Sequence, residues 1–353
     1  MKINIYLPQI YRGIAGGYKV VYQYANYLVK QGHDVCIYYD LKDGENSKKI
    51  PKKLSIIIRR LLFINYPNWF KLDENVIQRA VNHYDNKTVR DADVSIATAP
   101  KTAYDVYNLN EAKGKKIYFI QGYENWDGTS EEYLHESYKL GLTNIVISKW
   151  LKDIVYKITN KEPYLLENGI DLEIFKEIPE ISRDDKTIAM IYHDNYNKGC
   201  QYGIEALERV KKEIPEVKAI LYSGLKKPKR LPNWIDYRQN LNEKEVVEVL
   251  NQSSIFMCTS LFEGFGLPGL ESMACGCALI TTKCQGPEAY ANEKNSILCD
   301  IEDSNALYEA IKELITNEKK KNSILTEGIK TIKNWGIDKK VKEFERIINE
   351  VTK

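Results

Sequence analysis

The chain has 353 residues and a formal net charge of +2. That length accommodates two domains of ordinary size, each burying its own core, and the apolar content is that of a globular chain rather than a disordered one. Bulk charge gives no support to a nucleic-acid partner, and no run approaches the roughly 20 apolar residues that span a bilayer. The opening Met1 to Pro8 reads as a short strand rather than a secretory signal, which leads us to expect a cytoplasmic protein. The seven cysteines then read as reduced and mostly buried. Cys275 and Cys277 form a lone Cys-x-Cys, which without a second cluster reads as structural.

In chain order, Ile3 to Leu7 is a strand, and Tyr18, Val21, Ala25, Leu28 and Val29 share one face of a following helix. Asp34 to Tyr38 is the next strand, so a βαβ unit and a parallel sheet are expected. Further strands are predicted at Val94 to Ala97, Ile117 to Ile120 and Ile145 to Ile147. A polar segment from Lys161 to Ile181 reads as a linker. The alternation then resumes, with strands at Ile188 to Tyr192, Ala219 to Tyr222, Ile255 to Cys258, Leu279 to Thr281 and Ile297 to Leu298. Helices are expected near Gly199 to Lys212, Glu243 to Asn251, Pro268 to Cys275 and Asn305 to Ile315, with a last one from about Ile337 to Val351. The simplest architecture is two doubly wound α/β domains facing a cleft, since ligands bind at the carboxyl ends of parallel strands.

The segment from Thr259 to Gly276 follows a buried strand. Pro268 suits a first helical turn and Gly276 a helix end, so the residues before Pro268 form a glycine-rich loop at a helix N-terminus. Backbone N–H groups there suit an anion or sugar hydroxyls, and Gly264 and Gly266 let a ligand approach. Glu263 and Glu271 bracket the loop as hydroxyl acceptors; the plainer alternatives are a solvated loop residue and a helix-dipole partner. Upstream, Lys198 lies between a strand and a helix, where an ammonium can neutralise a diphosphate or simply stay solvated.

The Glu263–Glu271 spacing, set in E-G-F-G-L-P-x-L-E-x-M-A-C-G, resembles glycosyltransferase family 4, a family of retaining enzymes with the GT-B fold: two Rossmann-like parallel-sheet domains about an interdomain cleft. The resemblance implies Glu263 at the transferred sugar, Glu271 at the nucleotide ribose, and backbone N–H groups of Phe265, Gly266 and Leu267, beside Gly264, on sugar hydroxyls or phosphate. Lys198-Gly199 fits the family's phosphate lysine. The arginine usual five residues earlier is replaced by His193, a departure that leaves the phosphate contact to His193 or to Lys198 alone. Gly16 and Gly17, within Arg12-Gly13-Ile14-Ala15-Gly16-Gly17, resemble the family's N-terminal glycine loop. Phe119-Ile120-Gln121-Gly122-Tyr123-Glu124 is similar to a polysaccharide-assembly, rhamnosyltransferase-like subgroup, making Gln121 and Glu124 acceptor-side candidates; an ordinary polar loop is the alternative. Asn168-Gly169-Ile170-Asp171 matches the family's interdomain element.

The resemblance implies an acceptor-side domain over 1–165 joined by the C-terminal helix 337–353, and a donor domain over 166–336. It implies a hexosyltransferase moving a hexose or deoxyhexose from a nucleotide-diphosphate sugar to a glycan or lipid-linked glycan acceptor, in cell-surface polysaccharide or glycoprotein glycan synthesis. No metal or other cofactor is expected. A sugar phosphorylase or epimerase, or a non-catalytic glycan-binding subunit, are the other readings of the scaffold. Residues 48–71 carry Lys48, Lys49, Lys52, Lys53, Arg59, Arg60 and Lys71 among Ile56, Ile57, Ile58, Leu61, Leu62, Phe63 and Trp69, without an acid. Such a stretch suits peripheral binding at the anionic inner face of the plasma membrane, or an ordinary solvated helix.

Overall fold

A computed structural model describes residues 1–11, 13, 15–41, 52–64, 66–125 and 128–353. The chain divides into two compact units, Met1–Glu167 with Lys340–Lys353, and Asn168–Lys339.

The first unit is built on a seven-stranded sheet ordered β3-β2-β1-β4-β5-β6-β7. Its strands are β1 (Lys2–Leu7), β2 (Asp34–Asp40), β3 (Ile77–Val81), β4 (Val94–Ala97), β5 (Lys115–Ile120), β6 (Thr143–Val146) and β7 (Tyr164–Leu165), all paired in parallel. Strands β1 and β4 are buried along almost their whole length, Asn4 and Ser95 included, because a parallel sheet is covered on both faces. Helices α1 (Gly16–Lys30), α2 (Lys52–Phe63), α3 (Pro100–Tyr107), α4 (Glu131–Tyr138) and α5 (Lys149–Thr159) make the crossovers.

The second unit holds a six-stranded sheet ordered β10-β9-β8-β11-β12-β13. It comprises β8 (Asp184–Ile191), β9 (Lys218–Ser223), β10 (Asp236–Gln239), β11 (Ser253–Cys258), β12 (Ala278–Thr282) and β13 (Ser296–Cys299), again all parallel. Around it run α6 (Cys200–Glu213), α7 (Glu243–Gln252), α8 (Leu267–Ala274), α9 (Ser304–Thr316) and α10 (Glu318–Ile332). In both units the strand order reverses beside the first strand, between β1 and β4 and between β8 and β11. Such a reversal opens a crevice at the strands' carboxyl ends.

The last helix, α11 (Ile337–Thr352), buries Val341, Phe344, Ile347 and Ile348. Phe344 lies in the first unit's core, its ring centroid 4.7 Å from that of Tyr24 and 5.7 Å from that of Phe119. His33, at the turn into β2, is tied to the same helix through Nε2 and Glu345 Oε1 at 2.8 Å. Phe344→Ala should therefore cost about 3–5 kcal/mol, the usual penalty for emptying an aromatic core site. It should lower the denaturant midpoint of the transition that exposes the first unit, as read by hydrogen exchange of β5 amides.

Candidate functional site

Lys198 and Glu263 stand 65 residues apart in sequence, yet Lys198 Nζ lies 2.7 Å from Glu263 Oε1. The topology explains the meeting. Lys198 follows β8 and Glu263 follows β11, and these strands flank the reversal point of the second sheet. Lys198 ends a 3-10 turn, Tyr196–Lys198, whose cap Gly199 has φ +59°. A Cβ on Gly199 would stand 2.0 Å from the Thr259 carbonyl oxygen, so the close approach of the two segments requires glycine there. Thr259 Oγ1 donates to the Lys198 carbonyl at 2.9 Å, and the Leu261 N–H donates to Asn197 at 2.8 Å.

Glu263 is fixed from three sides. Ser260 Oγ donates to the same carboxylate oxygen at 2.7 Å. Its backbone N–H donates to the Cys284 carbonyl at 3.1 Å, and it forms an isolated parallel bridge with Gln285. Gly286 allows this crossing, since a Cβ there would stand 2.6 Å from the Phe265 nitrogen. The Lys198 ammonium is opposed by burial, but the Glu263 charge and hydrogen bond outweigh that and raise its pKa above the ordinary lysine value. The lysine therefore carries its charge throughout the neutral range.

The glycine loop reaches α8 through Gly266, whose φ is +83° and which caps the helix without a side chain. The first N–H groups of a helix have no intrahelical acceptor, so this end presents donors. Phe265 is buried, 5.8 Å from Tyr290 and 5.5 Å from Trp335 between ring centroids, so only its backbone serves the loop. The Tyr290 hydroxyl donates to the Gly266 carbonyl. Burial first, then the charges of Cys258, Cys284, Glu263 and Glu271, push the Tyr290 phenol well above its usual range. Glu271 also acts on the buried Tyr222 at the end of β9.

His193 stands at the end of β8, half-exposed, and its Nδ1 accepts the Asn195 N–H at 2.9 Å. The backbone N–H of His193 is bonded to Cys200 Sγ at 3.2 Å. The structure thus brings Lys198, Glu263 and the glycine loop together. Ser260, Cys284 and Gly286, which hold Glu263, were not found from the sequence. A Gly-Pro after an apolar strand was the available signal for Gly286.

In the first unit, Gly16 and Gly17 open α1, whose cap Ala15 has no side-chain hydrogen bond. A Cβ on Gly17 would lie 3.3 Å from Gln121 Nε2, which places the α1 start against the end of β5. Gln121 Oε1 is buried with no partner among the described residues. Arg12, Ile14 and Trp126 lie outside the described residues. The Asp-x-Asp pair Asp91 and Asp93 is engaged locally, Asp91 with Lys113 at 2.8 Å and Asp93 with the Lys2 N–H at 2.6 Å. Cys275 and Cys277 are buried, and Cys277 Sγ donates to the Leu250 carbonyl at 3.0 Å.

Residues 171–331 match the family described as Glycosyl transferases group 1, so the second unit carries a domain of that family. A Campylobacter jejuni N-acetylgalactosamine-N,N'-diacetylbacillosaminyl-diphospho-undecaprenol 4-alpha-N-acetylgalactosaminyltransferase is 26% identical over 77% of this chain and 70% of its own. A glycosyltransferase of Methanocaldococcus jannaschii is 24% identical over 61% of this chain, which spans 62% of that protein. Among solved structures, Anabaena HepE in complex with UDP-glucose superposes with a TM-score of 0.77 at 15% identity, over 99% of this chain and 100% of that one. The fold is GT-B.

Glu124, beyond β5, carries a carboxyl raised from 4.5 to about 8 by burial. Its charge is felt by the phenols of Tyr18 on α1, Tyr118 on β5 and Tyr138 on α4. The folded state keeps a proton there that the unfolded chain releases above 4.5. The associated stability is complete below that pH and is lost as the pH rises through about 8. Glu124→Gln should remove this loss: thermal melts of variant and parent should run parallel below pH 4.5, with the variant gaining as the pH approaches 8.

Proposed function

We propose that this protein is a retaining, metal-independent glycosyltransferase of family 4, in its polysaccharide-assembly or rhamnosyltransferase-like branch. It transfers a hexose or deoxyhexose from a nucleotide-diphosphate sugar held by the second unit to a glycan or lipid-linked glycan held by the first. The observation that carries the reading is the Lys198–Glu263 pair, 2.7 Å apart beside a glycine loop at a helix N-terminus. In this reading Lys198 and the N–H groups of Phe265, Gly266 and Leu267 stabilise the charge that grows on the departing diphosphate. Glu263 orients the sugar, Glu271 takes the ribose hydroxyls, and His193 stands where a second phosphate contact is made. The anomeric carbon–phosphate oxygen bond breaks while the bond to the acceptor oxygen forms on the same face. The acceptor's proton passes to the leaving phosphate.

The acceptor assignment has two supports. Gln121 Oε1 as an acceptor, the Glu124 carboxyl, and the backbone N–H donors of the Gly16–Gly17 helix start give the first unit polar groups that suit a polyol. The Campylobacter relative is named for a diphospho-undecaprenol-linked acceptor. A lipid-linked acceptor calls for membrane contact. Among the described residues no helix is long and apolar enough to cross a membrane. On α2 and just beyond it, however, Ile57, Leu61 and Ile64 are 54%, 63% and 72% exposed. Their spacing puts them on one face, and Arg60 is exposed beside them. Lys48 and Lys49 lie outside the described residues, as do the side chains of Lys52, Lys53, Arg59 and Leu62. We assign this face to peripheral binding on an anionic inner leaflet.

A thermal-shift screen of nucleoside diphosphates and then of their sugar conjugates identifies the donor. With that donor saturating, Glu263→Ala should reduce transfer by roughly two orders of magnitude or more, the scale of losing a group that acts in the transition state. Unchanged turnover would remove Glu263 from the site. Turnover with free phosphate, or without any acceptor, would instead identify a phosphorylase or an epimerase, and donor binding without turnover a binding subunit. Lys198→Ala should weaken nucleoside-diphosphate binding by about ten-fold or more in calorimetry, as expected for a charge-assisted phosphate contact. Ile57→Ser with Leu61→Ser should abolish co-sedimentation with phosphatidylserine vesicles while leaving the melting temperature unchanged.

A further inference from the structure

Lys198 is carried on a single 3-10 turn, Tyr196–Lys198, in the loop between β8 and α6. One such turn is weakly held by its own hydrogen bonds, so its neighbours decide where the ammonium stands. Toward β11 the turn is fastened by the Leu261 N–H and the Thr259 hydroxyl, which donate to the Asn197 and Lys198 carbonyls. Within the loop the Asn195 N–H donates to His193 Nδ1 and the Asn197 N–H to Asn195 Oδ1, both at 2.9 Å. Toward α9 the fastening is made by the Tyr196 side chain, which the reading of the site has not used.

Tyr196 is 59% exposed, yet its hydroxyl is engaged at both ends. It donates to Glu302 Oε1 at 2.5 Å, the length of a charge-assisted O–H···O⁻ bond. Tyr202 Oη stands 3.1 Å from Tyr196 Oη. The Tyr196 proton is committed to the carboxylate, so Tyr202 is the donor in that contact. Tyr202 lies on α6 and packs against the core of the second unit. Glu302 stands between β13 and α9 with φ +62°, a left-handed conformation that favours glycine or asparagine over glutamate. Its footing is firm. Asp303 caps α9 by accepting the Ala306 N–H at 2.8 Å, and Arg209 on α6 donates to Asn305 at 3.0 Å, with its guanidinium 4.2 Å from the Tyr308 ring centroid. At a backbone position suited to glycine, the chain thus carries a carboxylate that meets the turn holding Lys198, and such strain calls for a reason in the side chain.

We propose that Tyr196 and Glu302 are positioning residues for Lys198: their hydrogen bond clamps the side of the 3-10 turn away from β11 and holds the ammonium in place before a ligand arrives. The inference rests on the reading of Lys198 as the lysine that meets a nucleotide diphosphate. With the clamp closed, the diphosphate finds an ordered charge, and binding does not have to supply the free energy of ordering the loop. With the phenol or the carboxylate removed, the turn keeps its bonds to Thr259 and Leu261 but frays on the α9 side, and the ammonium samples positions away from Glu263. Both residues act through the turn rather than on the ligand, so their effect is on affinity and is expressed only while Lys198 is present.

Two measurements test this. In the ligand-free protein the Lys198 and Gly199 amides donate to the Asn195 and Tyr196 carbonyls at 3.0 and 2.9 Å. Their hydrogen exchange should quicken about three-fold or more in Tyr196→Phe and in Glu302→Gly, while β8 amides keep their parent rates. In calorimetry with uridine diphosphate and with guanosine diphosphate, each variant should weaken binding of whichever nucleotide the parent takes by about three- to ten-fold. Glu302→Gln keeps an acceptor for the phenol and should recover most of the parent affinity. Glu302→Gly relieves the positive φ, so its melting temperature should equal or exceed the parent's, whereas a bond that served stability alone would lower it. In a Lys198→Ala background, Tyr196→Phe should change affinity by less than about two-fold. Parent exchange rates at Lys198 and Gly199 in both variants overturn the proposal, as does a loss of affinity that persists undiminished in the Lys198→Ala background. A parent that binds neither nucleotide counts against the glycosyltransferase reading, and the exchange rates then decide the clamp by themselves.

Discussion

The ion pair between Lys198 and Glu263 is the constraint around which the second unit is arranged. It closes two segments that leave neighbouring strands of one sheet, β8 and β11. Its surroundings are half-buried rather than dry: the Lys198 side chain is 40% exposed and that of Glu263 18%. Its worth therefore falls between the ~1 kcal/mol or less of a surface pair and the ~3–5 kcal/mol lost on breaking a buried one. What it supplies is position more than stability. The carboxylate is held by Ser260 and by its own backbone link to Cys284, so the ammonium meets a fixed charge.

That arrangement depends on glycines whose reasons differ. Gly199 and Gly286 are required by close passage of backbone, each facing a main-chain atom nearer than any Cβ tolerates. Gly266 is required by its positive φ as well as by Pro287 and the Tyr290 hydroxyl beside it. A glycine-rich stretch is thus several separate demands, and only the structure separates those made by the fold from those that leave space for a ligand.

Much of this was legible beforehand, for physical reasons that can be named. Buried parallel strands carry short apolar runs, such as Ile117–Ile120 and Ile255–Cys258, that stand out against amphipathic crossovers. The edge strands did not stand out. Ile77–Val81 carries Gln78 and Arg79, Asp236–Gln239 is polar throughout, and Tyr164–Leu165 lies inside the segment read as a linker. An edge strand is solvated on one side and loses the pattern that reveals central ones. Glycines and acids before a helix marked Glu263 and Glu271. Ser260 and Cys284 could not be seen in the same way, because a hydroxyl three residues away and a carbonyl from the next strand become partners only once the sheet register is fixed.

The two units treat their polar groups in opposite ways, and the difference bears on what each can hold. In the second unit Lys198, Ser260 and Glu263 are bonded to one another, so a ligand there competes with existing contacts and must bring comparable charge, as a diphosphate does. In the first unit Gln121 Oε1 is buried without a partner among the described residues, and burial alone drives Glu124 upward. An unpaired buried acceptor costs about 1–3 kcal/mol, and a molecule that donates hydrogen bonds returns that cost as affinity. Hydroxyl-rich sugars are such molecules. In the proposed transfer, the charge-paired Lys198–Glu263 site of the second unit would take the anionic donor, and the unpartnered Gln121 oxygen of the first unit a hydroxyl of the acceptor.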